Sequence, residues 1–313
     1  MAIIQETKRD LLSLSDVTPD EIQRLFSRAA TLKRAVKARK VTHTLKGRTL
    51  GMIFEKPSSR TRVSFEVGMF QLGGHALFLS SKEIQLGRGE DISDSAKVFS
   101  RYLDGLMIRT FAHKNVETMA KCASIPVING LSDDFHPCQV LTDIFTYQEK
   151  RGSLRGRKVA WIGDGNNMAH SWIMAVSKVG CQLSLACPAG YDPDPKVIEK
   201  AHKDIAIQGE GSIQLTKDPK EAAHGADLVI TDTWTSMGQE AERERRLRAF
   251  EGFCVDSAMM KLAQEDALFM HCLPAHRGEE VTSEVMDGHQ SVIWDEAENR
   301  LHVQKAILEW LLV

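Results

Sequence analysis

The sequence has 313 residues, with 40 Lys and Arg against 42 Asp and Glu, for a net charge of −2. That balance carries no general nucleic-acid or membrane signal, and no apolar run approaches the roughly 20 residues of a bilayer-spanning helix. A chain of this length is long for one core and implies two domains of about 150 residues each. The six cysteines (Cys122, Cys138, Cys181, Cys187, Cys254 and Cys272) are scattered without a Cys-x-x-Cys pair, which suits reduced thiols better than a disulfide scaffold. The N-terminal residues lack the order of a signal peptide, so a cytoplasmic protein is expected. No zinc spacing is present; His271, Cys272 and His276 are close in sequence, but a strand-to-loop transition followed by Pro274 does not converge them.

The first clear helix opens at Thr18-Pro19-Asp20-Glu21, where Thr18 caps, Pro19 suits the first turn and Glu21 completes a capping box. It runs to about residue 40 with one apolar and one basic face, the latter read as solvated. A buried strand over residues 49–54 leads into Glu55-Lys56-Pro57-Ser58-Ser59-Arg60-Thr61-Arg62, and the apolar residues that follow have helical spacing. Residues 58–62 therefore stand where a strand ends and a helix begins. Unpaired N–H groups and the positive end of the helix dipole favour an anion there, and two arginines add forks suited to phosphate oxygens. The stretch is not a P-loop, since no Gly-x-x-x-x-Gly-Lys-Ser/Thr occurs.

A strand over 75–79 precedes a polar loop carrying Gln85, and a helix follows over 92–103. The strand over 105–109 places Arg109 at its C-terminal end, where open α/β sheets contact ligands. The strand over 125–129 leads to His136-Pro137-Cys138-Gln139 and the helix over 140–150. Arg151-Gly152-Ser153-Leu154-Arg155-Gly156 is the candidate boundary. Beyond it come a strand over 158–163, the turn Gly163-Asp164-Gly165-Asn166-Asn167, a helix over 168–179 and a strand over 181–186. This is a Rossmann-like unit. Two features count against a dinucleotide: the third glycine is absent, and the second strand ends in Cys187-Pro188-Ala189 rather than an acid. Strands over 226–231 and 267–270 end at Asp232 and at His271-Cys272. Residues 239–248 are expected as a solvated helix, 282–287 as a short helix, 291–294 as a short strand and 296–312 as the terminal helix.

The pattern predicts an α/β protein of two doubly wound domains, each with a mostly parallel sheet. The unusual polar residues fall at strand ends in both halves, which places a site in the cleft between the domains. The first half supplies cations and helix N-termini, fitting a phosphate; the second supplies an amide, a carboxylate, hydroxyls and a thiol, fitting a small amine or amino acid.

Ser58-Ser59-Arg60-Thr61-Arg62, His136-Pro137-Cys138-Gln139, Asp232-Thr233-Trp234-Thr235-Ser236-Met237-Gly238 and His271-Cys272-Leu273-Pro274 together resemble, in order and almost end to end, the signature set of the ornithine carbamoyltransferases. The resemblance implies transfer of the carbamoyl group of carbamoyl phosphate to the δ-amine of ornithine, giving citrulline and phosphate in arginine biosynthesis or catabolism. By the same resemblance, Ser58, Ser59, Arg60 and Thr61 form the phosphate loop. Gln85, Arg109, His136, Gln139, Cys272, Leu273 and Arg300 match further carbamoyl phosphate contacts, Gln85 serving its own or a neighbouring subunit's site. Asn167, Asp232, Ser236 and Met237 match the ornithine contacts. Arg60, His136, Asp232 and Cys272 are the implied catalytic set, with no cofactor and no metal. Residues 1–150 would be the carbamoyl phosphate domain, joined by a C-terminal helix over 295–313, and 151–294 the ornithine domain. A homotrimer, without nucleic-acid or membrane partners, is also implied. Ser59 stands where the family commonly has threonine, a change that keeps the hydroxyl. The rival acceptors are aspartate, putrescine and an acylated ornithine; Asp232 suits a cationic amine and would repel an aspartate side chain.

Overall fold

A computed structural model describes residues 8–80, 90–235, 238 and 240–313. The chain divides into two compact units, Met1–Cys138 with Arg300–Val313, and Gln139–Asn299.

The first unit holds helices α1 (Pro19–Lys37), α2 (Ser59–Gln71), α3 (Ile92–Phe99) and α4 (His113–Cys122) and strands β1 (Thr49–Phe54), β2 (His75–Ser80), β3 (Gly105–Arg109) and β4 (Val127–Leu131). The capping box at Thr18 and Glu21 forms as the sequence predicts. All strand pairings are parallel, in the order β2-β1-β3-β4. The chain runs from β1 outward to one side and then crosses to β3 on the other, so the switch point lies between β1 and β3. Loops leaving the C-terminal ends of those two strands diverge there and open a crevice. β1 and β3 are buried almost throughout, as interior parallel strands must be. Their apolar side chains Ile53, Leu106 and Ile108 pack with Val116 and Met119 of α4.

α5 (Pro137–Arg151) begins at the end of the first unit and continues into the second. There follow β5 (Lys158–Ile162), α6 (Asn167–Val179), β6 (Gln182–Ala186), α7 (Pro195–Gln208), β7 (Ser212–Thr216), α8 (Pro219–Ala223), β8 (Leu228–Thr231), α9 (Arg243–Ala249), α10 (Ser257–Met260), β9 (Leu268–His271), α11 (Ser283–Met286) and α12 (Ile293–Leu312). The five-stranded sheet is also wholly parallel, in the order β7-β6-β5-β8-β9. Its switch point lies between β5 and β8. Trp161 and Trp172 are its largest fully buried side chains, and each indole N–H is bonded, to the Asp164 carbonyl at 3.0 Å and to Asp143 at 3.2 Å. Two parallel α/β layers with a C-terminal helix are the architecture the alternation of elements predicts.

Two local expectations are corrected. Residues 291–294 do not form a strand: Ser291 makes a single bridge to Phe269, and Ile293 already begins α12. Of the run expected over 239–248 as a solvated helix, only α9 from Arg243 is α-helical among the described residues, and it is solvated except at one residue. A 3-10 turn over Glu240–Glu242 precedes α9, and Arg246 of α9 is buried. Reading the run's charges as a solvent face missed a guanidinium whose partners lie far away in sequence.

Candidate active site

In the first unit, β1 ends at Phe54 and the chain is at once fastened to the end of β3. The Glu55 N–H donates to the Arg109 carbonyl at 2.8 Å. The Thr110 hydroxyl donates to the Glu55 carboxylate, and Lys56 pairs with Asp133 while lying 4.4 Å over the Phe111 ring. This frame presents Ser58 as the N-cap of α2, its hydroxyl accepting from the Thr61 N–H at 3.2 Å. Ser59 is the first helical residue and is exposed. Thr61 is buried, and its Oγ1 lies 3.1 Å from Ser58 Oγ and accepts from Arg300 Nη2 at 2.9 Å. Arg300 of α12 thus reaches the first turn of α2. Arg60 is half-buried, and its guanidinium meets no acceptor among the described residues. A cation without a counter-ion at a helix N-terminus is the local form of an anion site.

Arg109, His136 and Arg300 are each buried, and the two guanidinium groups bear on the imidazole. Burial first, then Arg300 and Arg109, hold the His136 pKa well below the ordinary imidazole value of 6.5. His136 is therefore a neutral ring with one N–H to give. The cost shows in stability: below 6.5 the unfolded chain takes up a proton that folded His136 refuses, so stability should fall as pH drops through that value. Urea unfolding at about pH 7 and about pH 5 should reveal the loss, by up to about 1.4 kcal/mol per pH unit. The His136→Gln variant should lose less over the same interval.

In the second unit, the turn after β5 and the end of β8 meet across the switch point. Asn166 caps α6, its Oδ1 accepting from the N–H groups of Met168 and Ala169 at 2.9 and 3.3 Å, and its Nδ2 donates to Asp232 Oδ2 at 2.8 Å. Asp232 Oδ1 accepts from the Thr233 N–H at 2.8 Å and from Cys272 Sγ at 3.1 Å. Burial first, then Asp232 and Glu296, raise the Cys272 pKa well above the ordinary thiol value. Cys272 is thus a neutral thiol that donates to a carboxylate. Asn167 is the first residue of α6, and the side chain that reaches Asp232 is that of its neighbour Asn166. The signal was available, since an Asn directly before a helical run is a preferred cap with a free amide to spend.

Gln139 donates both Nε2 protons to carboxylates, to Asp143 at 2.8 Å and Glu296 at 2.7 Å. The other oxygen of Glu296 accepts the His271 N–H at 3.0 Å. His271 Nδ1 accepts the Leu273 N–H at 2.9 Å, which places the ring proton on Nε2, facing the fully buried Glu280 at 3.1 Å. Leu273 sits at φ +58, a left-handed conformation that costs a β-carbon residue about 1–3 kcal/mol. Its bonded N–H and the buried Glu280 beneath hold it there. Among the described residues Asp232, His271 and Cys272 gather their donor atoms within 4.8 Å, as do His276, Glu279 and Glu280, so His276 falls in a different group from His271 and Cys272. Neither set suits a cation: both His271 nitrogens are engaged, and Glu279 is paired with Arg243. Gln85, Ser236 and Met237 lie outside the described residues.

Family models place this geometry. Residues 9–149 match the aspartate/ornithine carbamoyltransferase carbamoyl-P binding domain, and residues 155–311 match the Asp/Orn binding domain of the same family. The chain belongs to the aspartate/ornithine carbamoyltransferase family. It is 54% identical over 304 residues to the ornithine carbamoyltransferase of Hydrogenovibrio crunogenus, covering 97% of this chain and 98% of that one. It is 55% identical over 304 residues to that of Pyrococcus abyssi, covering 97% and 96%. Among solved structures, the ornithine carbamoyltransferase from Pyrococcus furiosus superimposes with a TM-score of 0.94 at 52% identity, covering 99% of both chains. The anabolic enzyme from Campylobacter jejuni gives 0.91 at 44%, covering 97% and 98%.

Within this carbamoyltransferase the sequence reading missed a clamp beside Asp232. Arg246 Nη1 donates to Asp164 Oδ2 at 2.7 Å and to the Trp234 carbonyl at 2.9 Å, with its guanidinium 4.9 Å over the Tyr191 ring. Burial pushes the Asp164 carboxyl up and Arg246 pulls against it. The Gly165 N–H goes to the Tyr191 carbonyl at 2.8 Å, and a β-carbon at Gly165 would stand 2.3 Å from the Pro193 nitrogen. The Gly163-Asp164-Gly165 turn is thus filled by protein backbone where a dinucleotide fold would keep it open for pyrophosphate.

Proposed function

We propose that this protein transfers the carbamoyl group of carbamoyl phosphate to the δ-amine of L-ornithine, releasing L-citrulline and phosphate. The division of chemistry carries the reading. One unit gathers Arg60, Arg109, Arg300, neutral His136 and the α2 N-terminus; the other gathers Asp232 with its thiol and amide donors. Residues 1–150 with 295–313 act as the carbamoyl phosphate domain and 151–294 as the ornithine domain.

Ser58, Ser59, Arg60, Thr61, Arg109 and Arg300 hold the phosphate, and Gln85 adds to them from its own or a neighbouring subunit. His136, Gln139, Cys272 and Leu273 serve the carbamoyl group. Asn167, Asp232, Ser236 and Met237 hold ornithine. The δ-amine arrives largely as an ammonium, and it must lose a proton before its lone pair attacks the carbonyl carbon. Asp232, with Cys272 fixing its orientation, draws that proton away. Attack leaves negative charge on the carbonyl oxygen, met by Arg60, the Thr61 hydroxyl and the His136 N–H. As the carbon–oxygen bond to phosphate breaks, Arg60, Arg109 and the helix N-terminus take up the growing charge on the leaving group. The thiol forms no bond to carbon, and positioning with electrostatics supplies most of the rate.

The enzyme works in the cytoplasm, in arginine biosynthesis or catabolism, as a homotrimer or an assembly of such trimers. Exposed Val63 and Phe70 on α2 and Leu77 on edge strand β2 support self-association. Among the described residues no helix is long and apolar enough to cross a membrane. Citrulline formation, with ornithine, putrescine, N-acetylornithine and aspartate as parallel acceptors, tests the reading. Turnover with ornithine alone is expected; turnover with another acceptor would overturn the second-unit assignment.

A further inference from the structure

Two successive backbone carbonyls just after Asp232 are held by side chains. The Trp234 carbonyl accepts from Arg246 at 2.9 Å. The Thr235 carbonyl accepts from the Thr233 hydroxyl at 3.2 Å, and the same hydroxyl lies 3.0 Å from Nδ1 of His276. A hydroxyl has one proton. With that proton on the Thr235 carbonyl, Thr233 Oγ1 is an acceptor toward His276, and Nδ1 carries hydrogen. Glu280 favours the same tautomer: its buried Oε2 has no hydrogen-bond partner among the described residues and stands 3.8 Å from Nδ1, where a ring hydrogen meets negative charge. Its Oε1 meanwhile accepts the His276 N–H at 2.6 Å and so fixes the backbone of His276.

We propose that His276 and Thr233 are positioning residues of the acceptor site. The relay from His276 Nδ1–H through the Thr233 hydroxyl to the Thr235 carbonyl ties the segment after β8 to the turn after β9. It thereby sets the grip on the acceptor amino acid, while neither residue touches the donor phosphate. The inference rests on the reading that Asp232, at the head of this segment, holds ornithine. Thr233 is buried and His276 half exposed, so trimming the imidazole removes a bond without opening a core.

Steady-state kinetics on the full-length enzyme test it, with His276→Ala, His276→Asn, Thr233→Val and the double variant His276→Ala/Thr233→Val. Loss of one neutral hydrogen bond predicts a rise of about threefold to tenfold in the ornithine KM of His276→Ala. Its kcat and its carbamoyl phosphate KM should stay within about twofold. Asparagine presents an N–H near the position of Nδ1 and should restore most of the ornithine KM. Thr233→Val should resemble His276→Ala, and the double variant should be no worse than the worse single one, because both remove the same relay. Additive effects, an equal rise in both KM values, or failure of asparagine to rescue would overturn the relay. Thermal unfolding read alongside separates this from loss of fold, since a merely structural role would move Tm and leave the ratio of the two KM values alone. Asp232→Asn is the control for the underlying reading: unchanged ornithine kinetics in that variant would sink the segment's assignment whatever the His276 series gave.

Discussion

Arg60→Ala is expected to lower kcat by about 10²- to 10³-fold, the usual consequence of removing one donor aimed at developing charge. The fold should not notice. Arg60 is half-buried, and its guanidinium has no acceptor among the described residues, so truncation strands no buried partner. Thermal unfolding should stay within a degree or two of the parent while citrulline formation collapses. Arg60→Lys sharpens the test: a lysine restores the charge but not the planar fork, so it should recover only a small part of the lost rate. Near-parental turnover in Arg60→Ala would mean that Arg109, Arg300 and the α2 N-terminus suffice for the phosphate, and the electrostatic assignment would fail.

What the sequence revealed follows from range. The strand-to-helix junction at Ser58 was legible because a cap, a helical period and two arginines lie within five residues. The ends of β3, β8 and β9 were legible because buried parallel strands read as apolar runs with a polar residue after them. Arg246 was not, because its partners Asp164 and Trp234 are 82 and 12 residues away and nothing local distinguishes it from the solvated arginines beside it. Ile293 was read as strand because a β-branched pair after a serine fits either period, and only burial against the second core resolves it as the start of α12. The bond from Asn166 to Asp232 depends on where a helix begins to within one residue, the finest detail that periodicity resolves.

The two units also differ in how they manage protons. Burial first, and then the cations Arg300 and Arg109, keep His136 neutral. Burial first, and then carboxylates rather than cations, keep Cys272 neutral. A thiolate beside Asp232 would place two negative charges 3.1 Å apart in a buried site. The resulting scarcity of thiolate at neutral pH argues against a carbamoyl thioester and for direct attack by the amine.

Asp232→Asn should reduce kcat/KM for ornithine by about 10³-fold or more while leaving carbamoyl phosphate affinity within about twofold, because the carboxylate is both the acceptor of the amine proton and its electrostatic partner. Among the described residues its three hydrogen-bond partners are all donors: Cys272 Sγ, the Thr233 N–H and Asn166 Nδ2. An asparagine must turn its own NH2 toward one of them. If it faces Asn166, the cap of α6 loses its acceptor; if it faces Thr233 and Cys272, the thiol loses its own. Either arrangement leaves a buried donor unsatisfied at about 1–3 kcal/mol, so a fall of several degrees in Tm should accompany the loss of activity. Cys272→Ala separates the two contributions. It removes one donor but keeps the charge, so its ornithine efficiency should fall at least tenfold less than that of Asp232→Asn. A nucleophilic cysteine would reverse that order, with Cys272→Ala the dead variant and Asp232→Asn the impaired one, and equilibrium titration of carbamoyl phosphate in both would confirm that the difference lies on the acceptor side.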